Sequence, residues 1–509
     1  MKAIQRGLGL RVKIIDDDEH DVVKATRAGP VDPNFVRVLE RTESGDYPED
    51  VLVFCRGISK HRGHAELQGR ACRCLAAHGS RIVSPSNHVP SVLALELSQC
   101  ILGAMVSHKP NVMIIEECLR AMSILGTHGE VRIQISKFKG IKRILSAMDR
   151  HPIAKGVQEA GCSVLSTLAV SCDVSAEIQT AGGTKRVLSA MDNHKMEPHI
   201  QLAGCKAIRN LAVSADNRVQ ISSSVWGFKR ILDAMRCHAA NPDVQEQACI
   251  ALANLTANNP SSCVEVGSAG GIDHVIAAMD FHLTSACVQE RACLCLRNLA
   301  TIENNQLIIA QKGGIERTIR AVQNHLEHDT LAAEVCRCLA NLGRHPQNQE
   351  HLVQCGGIQV LFKCMDFYEN NGVVQEQAIL ALCNVGFLQR KLQMQIQEMG
   401  GEARVQRSIA SSQASKLTIQ WGQVLLQKLG NPTAECEQNR GMSSTVIAVS
   451  LGGVAELSRG MCINGQSRIR SENPSPASGA DSMQTSINIM PSQGGVGNNI
   501  AQSVNDGVA

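Results

Sequence analysis

The chain has 509 residues, 50 basic against 47 acidic side chains for a net charge of +3, and 44% hydrophobic residues of which few are aromatic. So small a net charge does not by itself imply a nucleic-acid partner. The apolar fraction predicts a core of Leu, Ile, Val, Ala and Cys, and no run approaches the ~18 apolar residues of a membrane span.

Residues 1–40 contain the acidic cluster Asp16-Asp17-Asp18-Glu19 and are expected to form an N-terminal extension or cap. The opening MKAIQRGLGLRVKIIDDDEH lacks the unbroken apolar stretch of a secretory leader, and Lys2 stands where N-myristoylation requires glycine. A soluble protein of the cytoplasm, with the nucleus also open to it, is the expectation.

From residue 41 to 430 a thirteen-residue phrase recurs. Its clearest copies are VQEQACIALANLT from Val244, VQERACLCLRNLA from Val288 and the copy in register from Val374. Weaker copies begin at Leu67, Ile114, Val157, Ile200, Leu331 and Thr418, so the nine starts lie 47, 43, 43, 44, 44, 43, 43 and 44 residues apart. Gly140, Gly183, Gly227, Gly271, Gly314, Gly357 and Gly401 keep the same beat. Such a period marks stacked repeats, none of which buries its apolar face alone. Apolar residues at positions 1, 5, 9 and 12 of the phrase, as in Val288, Ala292, Leu296 and Leu299, make a stripe on a helix. The glycines suit a helix end and a sharp turn. Each unit therefore reads as a short first helix, a glycine turn, a second helix, a polar loop and a long third helix.

The unit resembles an armadillo repeat: NNQLIIAQKGGIERTIRAV is similar to its first two helices and VQEQACIALANLT to its third. The variant with AMxxH closing the second helix and VQExAC opening the third resembles the armadillo block of leucine-rich-repeat kinases. The resemblance spans roughly residues 41 to 430, with degenerate units at both ends. It implies an all-α fold, a right-handed armadillo solenoid of about nine repeats, whose third helices line a concave groove.

Cys72, Cys162, Cys205, Cys249, Cys293 and Cys336 share position 6 of the third helix, where a small apolar side chain packs well. With helix axes about 8–10 Å apart, disulfides between equivalent cysteines are not expected. The pairs Cys72/Cys74, Cys293/Cys295 and Cys336/Cys338 point about 200° apart on a helix and cannot share an ion. His61, His108, His151, His194, His238, His282 and His325 close the second helices, with Tyr368 in the next unit. Repeats roughly 10 Å apart keep these rings from sharing a metal, so they are read as partners of helix C-terminal carbonyls. No metal and no cofactor are expected.

Positions 4, 7, 8 and 11 of the third helix lie off the buried stripe, with 10 at its margin. Position 11 holds Asn210, Asn254, Asn298, Asn341 and Asn384. Their amides resemble the asparagine ladder of armadillo proteins that hold an extended peptide; the other reading ties each third helix to its following loop. Importin-alpha-type receptors place tryptophan four residues earlier, where this chain has Lys206, Ile250, Leu294, Arg337 and Leu380, so import of basic signals is not expected. The groove positions carry Arg70, Arg73, Arg120, Lys206, Arg209, Arg291, Arg297, Arg337 and Lys428 against Glu117 and Glu334. That excess points to an acidic partner segment. Base recognition needs aromatic platforms, and Trp421 alone is expected in the groove, so nucleic acid is disfavoured.

No GxxxxGK[ST], HExxH, GxSxG or kinase HRD and DFG set is present. Glu159, Glu246, Glu290 and Glu376 open third helices, where they favour the dipole. Residues 431–509 turn rich in Ser, Asn, Gly and Gln and are expected to be mostly disordered, with STVIAVSLGGVAEL docking on the last repeat. The sequence thus predicts a non-enzymatic scaffold or adaptor. Its partner would lie along the asparagines with Lys206, Arg209, Arg291, Arg297 and Arg337. The other reading is an architectural subunit of a cytoskeletal or signalling assembly, binding through its convex face or edges.

Overall fold

The computed structural model describes residues 30–44, 51–82, 91–223, 227–386 and 389–430, all within one compact unit. The expectations for residues 1–29 and 431–509 lie outside the described residues. Every described element but the turns is helical, and the helices form an armadillo solenoid.

The third helices are Ala65–Ile82, Val112–Leu125, Lys155–Leu168, Pro198–Leu211, Pro242–Thr256, Ala286–Leu299, Asp329–Leu342, Gly372–Gly386 and Lys416–Gly430. Each packs on its neighbouring third helices, one on either side for all but the first and the last. A second row, including Gly140–Arg150, Gly183–Asn193, Gly227–Cys237, Gly271–Phe281, Gly314–Asn324 and Gly357–Phe367, packs against the third helix of its own unit. Short first helices such as Glu303–Gln311 and Pro346–Gln354 open each unit from Gly129 onward. In the second unit a single helix, Ser91–Ser107, precedes the third helix. The helix Pro33–Glu43 crosses the expected boundary at residue 41: Phe35, Leu39 and Thr42 are buried against the two helices that follow.

Local chemistry sets the joints. Asn241, Asn259 and Ser285 cap helix N-termini with side-chain oxygens, and proline occupies the first helical position at Pro198, Pro242, Pro260 and Pro346. The two glycines of a pair do different work. Gly313 adopts φ +77°, a left-handed conformation. Gly314 instead sits so close to the first helix that an added Cβ would lie 2.4 Å from Ile309 Cγ2 and 2.9 Å from the Ile309 carbonyl oxygen.

Two polar ladders tie the units. The glutamine at position 2, which the sequence shows without revealing its role, donates to two carbonyls at the end of its own second helix. Gln289 Nε2 reaches the Met279 and His282 carbonyls at 2.8 and 2.9 Å, and Gln158, Gln201, Gln245 and Gln375 repeat the pattern. The histidines reach further than predicted. Each of His108, His151, His194, His238, His282 and His325 bonds through Nε2 to a loop carbonyl of the preceding unit, 2.7–2.9 Å away, and the Tyr368 hydroxyl does the same. A carbonyl only accepts, so Nε2 carries the proton in every rung.

The position-6 cysteines are fully buried. Burial pushes Cys162, Cys205 and Cys249 up to about 12. Cys72 Sγ and Cys118 Sγ, at the non-equivalent positions 6 and 5 of adjacent third helices, lie 3.5 Å apart as free thiols.

Candidate functional site

The row of third helices is more enclosed than its sequence stripe implied. Position 8, expected off the stripe, is fully buried at Cys295 and Cys338, because neighbours flank each third helix on both sides. Trp421, expected in the groove, packs in the core. Asn210, Asn298 and Asn384 are buried, while Asn254 and Asn341 are half-buried.

The five asparagines share one bond. Each Nδ2 donates to the carbonyl at position 10 of the preceding third helix: Asn210 to Ser166, Asn254 to Arg209, Asn298 to Ala253, Asn341 to Arg297 and Asn384 to Ala340, at 2.8–2.9 Å. The cause lies in how those helices end. At Val213, Ala257, Thr301 and Arg344 the next backbone N–H closes onto the position-11 carbonyl, bypassing position 10. A bypassed carbonyl in a buried place needs a donor, and the next unit supplies it. The amide therefore ties a third helix to the preceding unit, not to its following loop.

The amide oxygens divide into two classes. Where position 10 is arginine, the oxygen is taken: Asn210 Oδ1 accepts from Arg209 Nε at 3.0 Å, and Asn298 Oδ1 accepts from Arg297 Nε and Nη2. Where position 10 is alanine or cysteine, at Asn254, Asn341 and Asn384, no donor among the described residues reaches the oxygen. Asn254 and Asn341, being half-buried, present that acceptor on the open side.

The charge surplus is smaller than a count of groove positions predicts. Arg297 and Arg337 share Glu334, at 2.9 and 2.7 Å, and Arg291 pairs with Glu290 at 2.6 Å. Glu290, expected to favour its helix N-terminus, is buried, paired with the adjacent Arg291 and reached by Thr330 Oγ1 of the next unit at 2.8 Å. Lys206 and Arg209 differ: neither forms an ion pair with a described residue. The Arg209 guanidinium bonds to the amide oxygens of Asn210 and Gln247, the latter at 2.7 Å. Burial pushes Arg209 below its ordinary range, with Glu246 opposing and Arg291 adding to the effect. Burial likewise raises Glu246 above the usual carboxylate range, against the pull of Arg291. No described helix is long and apolar enough to cross a membrane.

Two family models match the chain: one described as LRRK2 ARM repeat over residues 72–264, and one described as GAC ARM domain over residues 248–447. No curated protein sequence matches significantly. Among solved structures, an engineered protein superposes with a TM-score of 0.63 at 19% identity, covering 84% of this chain and 99% of its own, a likeness of fold. A second engineered protein (TM-score 0.44, 20% identity, 49% and 97% coverage) is more distant. So is a chain from a study of a phosphorylation switch in the interaction between cadherin and β-catenin (0.45, 13%, 82% and 99%).

Proposed function

The chain is an armadillo-repeat protein, and from that premise we propose that it is a non-enzymatic scaffold holding an extended, acidic segment of a partner protein along its third helices. The reading is supported above all by Arg209, a half-buried cation whose bonds run only to amide oxygens. A desolvated guanidinium gains from a carboxylate in a forked pairing, and Lys206 on the same helix adds a second positive charge. Asn254 and Asn341 supply acceptors for backbone N–H groups of an extended chain, independent of its sequence. The Asn210 and Asn298 oxygens are already engaged by arginine, so contact to the partner backbone falls on alternate repeats. Arg291, Arg297 and Arg337, neutralised within the protein, shape this face more than they attract.

A fluorescent decaglutamate peptide titrated into the full chain tests the reading by anisotropy. The double substitution Lys206→Glu, Arg209→Glu should weaken binding by at least about tenfold at low salt, as expected for reversed charges at a charged interface. Equal binding by wild type and variant would remove the acidic-segment reading. Loss of a native partner on changing the outer face alone would favour an architectural role.

A further inference from the structure

At the junction between the sixth and seventh units, Lys312 Nζ lies 2.9 Å from Asp273 Oδ1. Lys312 stands two residues before the glycine that opens its second helix, Gly314, and Asp273 two residues after the equivalent Gly271. One unit later the same two places are occupied by Cys355, before Gly357, and Glu316, after Gly314. The carboxylate is kept and its lysine is gone. In its stead stand a thiol and, one helical turn before it on Pro346–Gln354, an imidazole: His351 Nε2 lies 2.9 Å from Glu316 Oε1.

We propose that Glu316, His351 and Cys355 form a binding site for a divalent transition-metal ion, with Zn2+ the best fit. The ligand atoms of all three lie within 4.8 Å of one another. Around tetrahedral zinc such atoms stand about 3.5 Å apart, so the observed spread closes with small side-chain rotations. The His351 and Cys355 pair, at i and i+4, faces the same way on one helix, and Glu316 meets it from the neighbouring unit. One sulfur, one nitrogen and one carboxylate oxygen are the mixed donor set that zinc accepts, and that magnesium or calcium does not favour. A second observation points the same way. Glu316 Oε2 is buried and accepts no well-formed hydrogen bond, an acceptor that a cation held between it and the neighbouring Cys355 thiol would satisfy. The place tolerates positive charge, since an ammonium holds the equivalent position one unit earlier. On binding, the metal–sulfur bond forms and the thiol proton passes to water, while the His351 Nε2 proton now shared with Glu316 moves to Nδ1 by exchange with solvent so that Nε2 can bind the ion. The glutamate and histidine side chains keep 42% and 36% of their surface exposed, which leaves an approach for the ion and room for a solvent ligand. The ion would clamp the seventh and eighth units together.

Cobalt serves as a spectroscopic probe for zinc. Titration of the metal-free full chain with Co2+ should develop a near-ultraviolet thiolate-to-cobalt band that saturates at one equivalent and disappears on adding Zn2+. Cys355→Ser should abolish the band, while His351→Ala and Glu316→Gln should each weaken Co2+ binding by about tenfold or more. Cys172→Ser, at an exposed cysteine elsewhere, should leave it unchanged. A band that survives Cys355→Ser, or no band at all, would overturn the proposal. Should Cys355→Ser fold poorly by far-ultraviolet circular dichroism, the wild-type protein decides alone. Zn2+ should then slow maleimide labelling of Cys355, mapped by peptide mass, and unchanged labelling would count equally against the site.

Discussion

Replacing Asn298 by alanine tests the ladder at its most engaged rung. The substitution deletes the 2.8 Å bond to the Ala253 carbonyl and the two bonds received from Arg297. Part of the loss is recoverable: Thr256 Oγ1 also reaches the Ala253 carbonyl at 3.2 Å, and Arg297 keeps Glu334. What remains is roughly one buried hydrogen bond with incomplete replacement, worth about 1–2 kcal/mol. At about 1.4 kcal/mol per decade, that is roughly a five- to thirtyfold increase in local opening. Repeat proteins open junction by junction, so a single global midpoint is the wrong readout. Hydrogen exchange resolved to peptides should show faster exchange in Pro242–Thr256 and Ala286–Leu299, with distant units such as Lys155–Leu168 unaffected. Asn254→Ala should cost less, because water can reach the half-buried carbonyl it leaves. Unchanged exchange in Asn298→Ala would refute the idea that these amides join the units.

The remaining expectations concern the joints, the pH response and the thiols. Gly314→Ala should destabilise by about 1–3 kcal/mol because its Cβ meets the Ile309 side chain and carbonyl; a thermal midpoint equal to wild type would contradict the close approach. His61, buried and stacked on Phe35 at 5.6 Å, accepts from the Asp32 backbone N–H through Nε2. Burial first, then the positive charge of His64 and Lys60, holds its pKa below 6.5, with Asp32 opposing. A group with a depressed folded pKa contributes stability above its unfolded value and loses it as pH falls through the folded one. Protection factors in Pro33–Glu43, corrected for the intrinsic exchange rate at each pH, should therefore fall on acidification from about pH 7 into the range below 6.5, and His61→Phe should flatten that response. Asp32, also held low by Lys60 and by Asn34, acts only at more acid pH, below 3.8. In the native chain iodoacetamide should modify exposed Cys172 and leave Cys162, Cys205 and Cys249 intact until denaturant is added; early labelling of Cys205 would contradict its burial.

The repeat architecture could be read from the sequence because two independent signals, the thirteen-residue phrase and the glycine, keep one interval of 43 or 44 residues. The burial pattern was less legible. A helical wheel assigns one stripe to one neighbour, whereas each third helix has packing partners on several sides, so Cys295 and Asn298 are buried although their angles place them off the stripe. The recurrence of asparagine at position 11 was visible, but its partner was not, since the bypassed carbonyl depends on how the preceding helix ends. Counting charges by position missed Glu290, assigned to its helix N-terminus, as the partner of Arg291. Glu316, His351 and Cys355 escaped notice because the glutamate lies 35 residues from the histidine. Only the His-x3-Cys spacing on one helix hinted at them.

The surface on which a partner rests is the point on which the functional account turns. A photoreactive phenylalanine can be placed at half-buried Leu294 on the third-helix face, or at Phe281, 64% exposed at the end of a second helix. Irradiation in the presence of the labelled acidic peptide should give an adduct from position 294 and none from position 281. Adducts from position 281 alone would contradict the account.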